Sequence, residues 1–273
     1  MAGTVFYKMT GSGNDFVMLD GRQTAAAAWP RERIARVCDR RLGVGGDGLV
    51  IVSPAGAARV RMEYWNSDGS PAPMCGNAAL CSTRLASHLE MAPPELMTLV
   101  TGAGEMRSRC VGAQDLAELC LPAFDLPRQL DIEHRPGESA FYLATVGVPH
   151  LVVLTEDVRE VDVPTRGREL RFHPALGDGG ANVNFVSPPP AGDGDPWVVR
   201  TYERGIEAET LACGTGTVAC AFSLEIAGLR QLPGEFQTPL GIRLAVAGTL
   251  DGRRATEAWL CGEGRRVYTG ILS

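Results

Sequence analysis

At 273 residues, with 45% hydrophobic and 21% charged side chains, the chain has a globular composition and is long enough to bury a substantial core. A net charge of −6 with no Lys/Arg-rich run argues against a nucleic acid or an anionic membrane as principal partner. Its longest apolar stretches, such as FYLATVGVPHLVVLT (141–155), are broken by Gly, Pro and His and fall short of the roughly 20 residues of a membrane span.

The first residues lack the basic-then-apolar pattern of a secretory leader. The eight cysteines are dispersed through the chain, which predicts reduced thiols and a cytoplasmic protein. Lys8 is the only lysine. A pyridoxal Schiff base needs a lysine, so a pyridoxal enzyme is not expected.

In chain order, TVFYKM (4–9) and DFVMLD (15–20) read as strands around the turn TGSGN. PRERIARVCDR (30–40) reads as a helix with Pro30 near its first turn. LVIVS (49–53) and RVRMEYW (59–65) read as strands. CGNAALCSTRLASHLEM (75–91) reads as a helix that Pro93-Pro94 stops. MTLVT and EMRSRCV around Gly102–Gly104 predict a hairpin, and LAELCLPAF (116–124) another strand. The second half repeats the layout. FYLATV and HLVVL are strands, followed by a mixed segment through RELRFHP. ANVNFVS (181–187) and WVVRTYE (197–203) are strands flanking the loop SPPPAGDGDP (187–196). GTGTVACAFSLEIAG (214–228) is a helix, and further strands close the chain.

Several motifs have plain structural readings. GVGGDG (43–48) matches G-x-G-x-x-G but follows a helix and precedes a strand, the reverse of the dinucleotide fingerprint, so it is expected to shape a loop. The four histidines and the cysteine pairs lack zinc-ligand spacing, and no metal is expected. Cys38, Cys110, Cys120 and Cys261 are expected as buried core thiols, with Cys81 and Cys220 facing the core from their helices.

Cys75 and Cys213 differ. Each is followed by Gly at a predicted helix start, one in each half. The first amides of a helix have no internal partner and the dipole is positive there, so a thiolate is stabilised and a substrate carboxylate can bind. Two such sites suggest halves that face each other. One chemistry that uses two such thiols is inversion at a carbon bearing an acidic hydrogen: a one-base enzyme must move its base or substrate between faces, whereas a two-base enzyme places a thiolate on one face and a thiol on the other. The developing enediolate charge would be met by the helix N-termini.

FYKMTGSGNDFVMLD, GVGGDGLVIV, NSDGSPAPMCGNAALC, GVPH, ANVNF and ERGIEAETLACGTG, in that order across nearly the whole chain, resemble diaminopimelate epimerase. The resemblance implies an α+β fold of two similar α/β domains, each a barrel-like sheet around a central helix, with the active site in the cleft between them. The domains are expected at 1–121 plus 263–273, carrying Cys75, and at 122–262, carrying Cys213. It implies a cofactor-independent isomerase, usually a homodimer, interconverting LL- and meso-diaminopimelate in lysine and peptidoglycan synthesis.

By motif, Cys75 and Cys213 are the acid/base pair. Gly76, Asn77, Gly214 and Thr215 supply donors to the reacting carboxylate. Asn14, Asn66, Asn182 and Arg204 recognise the distal amino-acid end, Glu203 lies near the reacting α-amino group, and His150 lies near the reacting centre. The bland reading of Asn14, Asn66 and Asn182 is turn or strand-end hydrogen bonding. The chain departs from the family pattern at Thr10, Ala78, Leu80, Val148 and one extra residue within 205–209. Two alternatives stay open. One is a related racemase of histidine, proline or hydroxyproline. The other is a non-catalytic protein whose two cysteines form a redox disulfide or bind metal.

Overall fold

The computed structural model describes residues 3–112, 115–189 and 196–272. The chain divides into two compact units, Met1–Cys120 with Cys261–Ser273, and Leu121–Leu260. Most of the loop expected at 187–196 lies outside the described residues.

In the first unit the strands are β1 (Thr4–Gly11), β2 (Asn14–Asp20), β3 (Gly48–Gly56), β4 (Arg59–Asn66), β5 (Pro71–Ala72), β6 (Met97–Thr101), β7 (Gly104–Val111) and the start of β8 (Leu116–Leu121). The helices are α1 (Arg31–Cys38) and α2 (Gly76–His88). The second unit holds β9 (Phe124–Asp125), β10 (Arg128–Leu130), β11 (Glu138–Val146), β12 (Val148–Thr155), β13 (Asn182–Ser187), β14 (Trp197–Glu203), β15 (Ala208–Thr210), β16 (Gly234–Gln237), β17 (Arg243–Asp251) and most of β18 (Arg254–Glu263). Its helices are α3 (Val163–Arg171) and α4 (Gly214–Ile226). The last strand, β19 (Arg265–Leu272), returns to the first unit and pairs antiparallel with β1.

The two units repeat one topology. β2 runs parallel to β3 with α1 between them in sequence, and β12 runs parallel to β13 with α3 between them. β4 runs parallel to β6 across α2, and β14 parallel to β16 across α4. Strand alternation then gives each middle strand two apolar faces. Val50 and Val52 pack with Leu80 and Leu85 of α2, whereas Leu49 and Ile51 pack with Ile34 and Cys38 of α1. In the second unit Val152 and Val186 pack with α4, whereas Val183 and Phe185 pack with Val163 and Leu170 of α3.

The central helices α2 and α4 are buried round most of their circumference, with Arg84, Ser87 and His88 the more exposed positions near the end of α2. Residues 77–83 of α2 and 216–224 of α4 are buried without interruption. Their buried hydroxyls are satisfied within the helix: Ser82 donates to the Ala78 carbonyl at 2.7 Å, Thr83 to Ala79 at 2.9 Å and Ser223 to Ala219 at 2.8 Å. Both helices end in the same 6→1 and 5→2 pair of backbone bonds. Met91 N–H reaches Ala86 and Glu90 reaches Ser87 in α2, and Leu229 reaches Leu224 and Gly228 reaches Glu225 in α4.

Three sequence expectations are corrected. The mixed segment through RELRFHP contains α3, which Asp162 caps by accepting from the Thr165 amide. Its amphipathic stripe is disguised because Arg166 and Arg171 are buried, Arg166 through a 2.8 Å ion pair with Glu138. Cys110 and Cys261 are half-buried, not core thiols. Cys110 sits where β7 leaves the core, and at Cys261 strand alternation gives the inward face to Leu260 and Gly262. LAELCLPAF is two strands, β8 and β9, broken at Pro122.

Phe222 is fully buried in α4. It meets Phe124 edge-on at 5.1 Å and lies where a Cβ on Gly248 would come within 2.4 Å of its ring. Phe222→Ala is expected to destabilise the protein by about 3–5 kcal/mol, read as a lower urea midpoint. A midpoint unchanged within error would show that α4 is not the enclosed centre of its unit.

Candidate active site

Cys75 and Cys213 are the N-cap residues of α2 and α4. Both have extended backbones (φ −142°, ψ 125° and φ −126°, ψ 105°), and neither side chain caps the helix. Each carbonyl accepts the first helical bond, from Ala79 and Thr217 at 2.9 Å. Each thiol therefore sits at the positive end of a buried helix, half-buried. By contrast, burial pushes the Cys81 and Cys220 thiols well up, which keeps them protonated and inert.

In the second unit a polar chain runs from the sheet to the Cys213 sulfur. His150 on β12 is fully buried and its Nε2 lies 3.0 Å from Thr215 Oγ1. Thr215 Oγ1 lies 3.6 Å from Cys213 Sγ. On the other side Asn184 Nδ2 lies 3.2 Å from His150 Nδ1, and Thr201 donates to Asn184 Oδ1 at 2.9 Å. β12 and β13 pair His150 with Asn182, and β13 and β14 pair Asn184 with Thr201. Alternation therefore puts His150, Asn184 and Thr201 on the face that packs against α4. Gly216 is needed there, because a Cβ would lie 2.1 Å from Asn184 Oδ1 and 3.2 Å from Cys213 Sγ. Desolvation, aided by the positive charge of Arg204, pushes His150 down to about 3, so the imidazole is neutral. Asn182 Oδ1 accepts from the Arg204 amide at 2.7 Å and fixes the backbone that carries that guanidinium.

In the first unit the helix mouth is held by charge. Asn77 Nδ2 donates to Asn14 Oδ1 at 2.7 Å, and Asn14 Nδ2 donates to Asp47 at 2.8 Å. Asp47 and Asp15 share Arg40, and Asp15 also takes an ion pair from Lys8 at 2.6 Å. Burial works against the Asp15 charge, but hydrogen bonds from Arg40 and Lys8 outweigh it and hold the carboxyl below its ordinary value. The glycines of GVGGDG bring this loop back over α1, with Val44 and Gly45 amides on the Val37 carbonyl and Gly46 on Cys38.

The structure thus joins Asn14 to Asn77 in one unit, and Thr215 to His150 and Asn182 to Arg204 in the other. Gly76 has open space where a Cβ would stand, whereas at Gly214 a Cβ would meet Leu260 at 2.6 Å. Asn66 is exposed, with its amide engaged by Tyr64 at 3.0 Å and Ser70 at 3.1 Å, the turn role. Glu203 is half-buried at the end of β14, and desolvation raises its carboxyl above the ordinary value. Sequence reasoning missed Asp47, Asn184 and Thr201. The signal for Asn184 was present in ANVNF, where two asparagines at i and i+2 share a strand face. Ala78 and Leu80, which depart from the family pattern, are fully buried in the core and do not line the helix mouth.

Comparison with known proteins shows the family to which the chain belongs. The family model described as "Diaminopimelate epimerase" matches residues 6–116 and 142–246. A diaminopimelate epimerase of Gemmatimonas aurantiaca is 44% identical, covering 98% of this chain and 99% of that one. One of Aquifex aeolicus is 36% identical over 98% and 97%. Among solved structures, a putative phenazine biosynthesis PhzC/PhzF protein from Clostridium difficile covers 99% of each chain with a TM-score of 0.71 at 14% identity. A hydroxyproline epimerase from Agrobacterium vitis covers 100% of this chain and 91% of that one, with a TM-score of 0.62 at 19% identity. At these identities the two structures share the fold.

The buried imidazole carries a pH signature. Its folded value of about 3 lies below the ordinary 6.5, so between these values the unfolded chain binds a proton that the folded chain does not. The stability this contributes is complete above pH 6.5 and is lost as the pH falls toward 3. His150→Gln is expected to flatten the fall in urea midpoint between neutral pH and about pH 5 relative to the parent. An equal slope in both proteins would place the acid sensitivity elsewhere.

Proposed function

The chain belongs to the diaminopimelate epimerase family and is an isomerase acting on diaminopimelate; from that premise we propose that Cys75 and Cys213 are its acid and base. The observation that carries this reading is the matched placement of the two sulfurs, each the N-cap of an enclosed helix with no side-chain cap of its own.

The reaction balances with two sulfurs. One thiolate takes the α-hydrogen as a proton and becomes a thiol. The electron pair left on carbon delocalises into the α-carboxylate, and the second thiol returns a proton from the opposite face and becomes a thiolate. The net change is inversion with the two protonation states exchanged. The carboxylate gains negative charge on the way, and the first-turn amides of Gly76, Asn77, Gly214 and Thr215 are the groups assigned to meet it. Arg204, its backbone fixed by Asn182, offers a forked donor for the distal carboxylate. Glu203, half-buried, supplies an acceptor for an ammonium group. Asn14, tied to both Asp47 and Asn77, is held beside the first turn of α2 and is assigned to the distal amino-acid end of the substrate.

On the same reading the enzyme is a cytoplasmic homodimer. The exposed apolar side chains Val267, Tyr268 and Ile271 on β19 suit a second copy. Among the described residues no helix is long and apolar enough to cross a membrane.

The reduced protein is expected to incorporate deuterium from heavy water at the α-carbon of LL-diaminopimelate, with histidine and hydroxyproline left unexchanged. Cys75→Ala and Cys213→Ala are each expected to lower epimerisation by at least about 100-fold. Full turnover in either variant would overturn the two-base assignment. Exchange with hydroxyproline alone would overturn the substrate.

A further inference from the structure

The polar chain behind Cys213 has a direction. Asn184 Nδ2 lies 3.3 Å from the Leu151 carbonyl, which can only accept, so the amide nitrogen is on that side. The same nitrogen faces His150 Nδ1, and the Asn184 oxygen takes the Thr201 hydroxyl. His150 Nδ1 must therefore be the bare, accepting nitrogen, and the ring proton sits on Nε2. That proton points at Thr215 Oγ1, which accepts it and keeps its own hydrogen to donate. The Cys213 sulfur lies 3.6 Å from that hydroxyl. The links from Thr201 through Asn184 and His150 to Thr215 run one way, which leaves the threonine hydrogen available to the sulfur. A chain of donors ending on sulfur favours the anion over the thiol.

We propose that Asn184, clamped by Thr201 and the Leu151 carbonyl, is a positioning residue that fixes the His150 tautomer and so aims the Thr215 hydroxyl at Cys213, making Cys213 the sulfur that carries negative charge in the resting enzyme. The assignment rests on the two-thiol reading and says which thiol is the base before substrate arrives. The charged groups around the chain agree with it. Arg204, one residue past the end of β14, is the cation that, after desolvation, lowers His150. β11 and β17 present apolar Ala144, Val146, Leu244 and Val246, and β13 presents the neutral Asn184 and Val186. Glu203, at the end of β14, is the nearby carboxyl, and burial raises it above its ordinary value.

Asn184→Asp reverses the chain. A carboxylate accepts where the amide donated, so the ring proton moves to Nδ1, Nε2 accepts from Thr215, and the threonine turns its lone pairs to the sulfur. The test is the pH profile of alkylation of the substrate-free protein by iodoacetamide, read peptide by peptide at Cys75 and Cys213, together with nitrogen NMR of His150. In the parent, Cys213 is expected to alkylate with the lower midpoint and His150 to show the Nε2–H tautomer. In Asn184→Asp, the Cys213 midpoint is expected to rise by about one unit or more, a tenfold loss of reactivity near neutral pH, with Cys75 unmoved. Thr215→Val is expected to give the same rise and Thr215→Ser to prevent it, which covers the case in which Asn184→Asp does not fold. A parent with Nδ1–H on His150, with Cys75 alkylating first, or with a Cys213 midpoint indifferent to Thr215→Val would overturn the proposal. Absence of α-deuterium exchange in the parent would instead overturn the enzymatic reading, and leaves the alkylation order to be judged by itself.

Discussion

The enclosure of one helix on all sides within each unit is the constraint on which the other features depend. Strands can surround a helix closely only if the contacts are small. Gly11 approaches α2 so nearly that a Cβ would sit 2.6 Å from the Asn77 carbonyl, and at Gly264 one would lie 2.7 Å from that of Leu80. The helices answer with Ala, Ser, Thr, Cys and Gly through most of their length. An enclosed helix also concentrates its dipole in a poorly screened place, where about half a unit of positive charge stands at the first turn. Serine or aspartate at the N-cap would consume those amides. Cysteine, with a long and weakly accepting sulfur, leaves them available.

The two helix mouths meet this common demand by different means. At α2 the first turn is steadied through Asn77 and Asn14 by an ionic cluster of Asp47, Asp15, Arg40 and Lys8, part of it exposed. At α4 the work is done by neutral groups, His150, Asn184 and Thr201, all within 2% exposure. Exposed ion pairs weaken with salt, whereas a buried neutral chain does not. Its weakness is protonation, because a charged imidazole in that site is desolvated and faces the positive charge of Arg204.

Much of this was legible in the sequence, and the omissions have physical causes. The central helices announced themselves because Cys-Gly opens each and, in the first, Leu80, Leu85 and Leu89 recur at roughly helical spacing before Pro93-Pro94. The strands flanking them read correctly because both faces are covered and the runs are continuous. α3 was hidden because two of its inward positions are Arg166 and Arg171, whose burial depends on distant partners, Glu138 and Glu207. Pairing of that kind is invisible to periodicity. Asp47 was hidden inside a glycine motif read for its backbone. Asn184 and Thr201 matter only because register places them opposite one another, and register across strands is a property of the fold.

Duplication of topology with divergence of surroundings suits a two-base inversion. Identical mouths would give the two sulfurs identical affinities for a proton, and the resting enzyme would divide among mixed states. A reaction that begins from one ionised and one protonated sulfur gains from a standing bias between them, provided that bias is small enough to be reversed during turnover. A directed hydrogen bond from a neutral hydroxyl meets that condition better than a buried cation. It favours the anion by a modest amount, and Thr215 can turn to accept from the sulfur once a proton has arrived. The sequence difference between the two helix starts, Gly-Asn-Ala against Gly-Thr-Gly, is then chemical in origin. Threonine supplies the rotating hydroxyl, and Gly216 makes room for the asparagine that keeps the imidazole behind it facing one way.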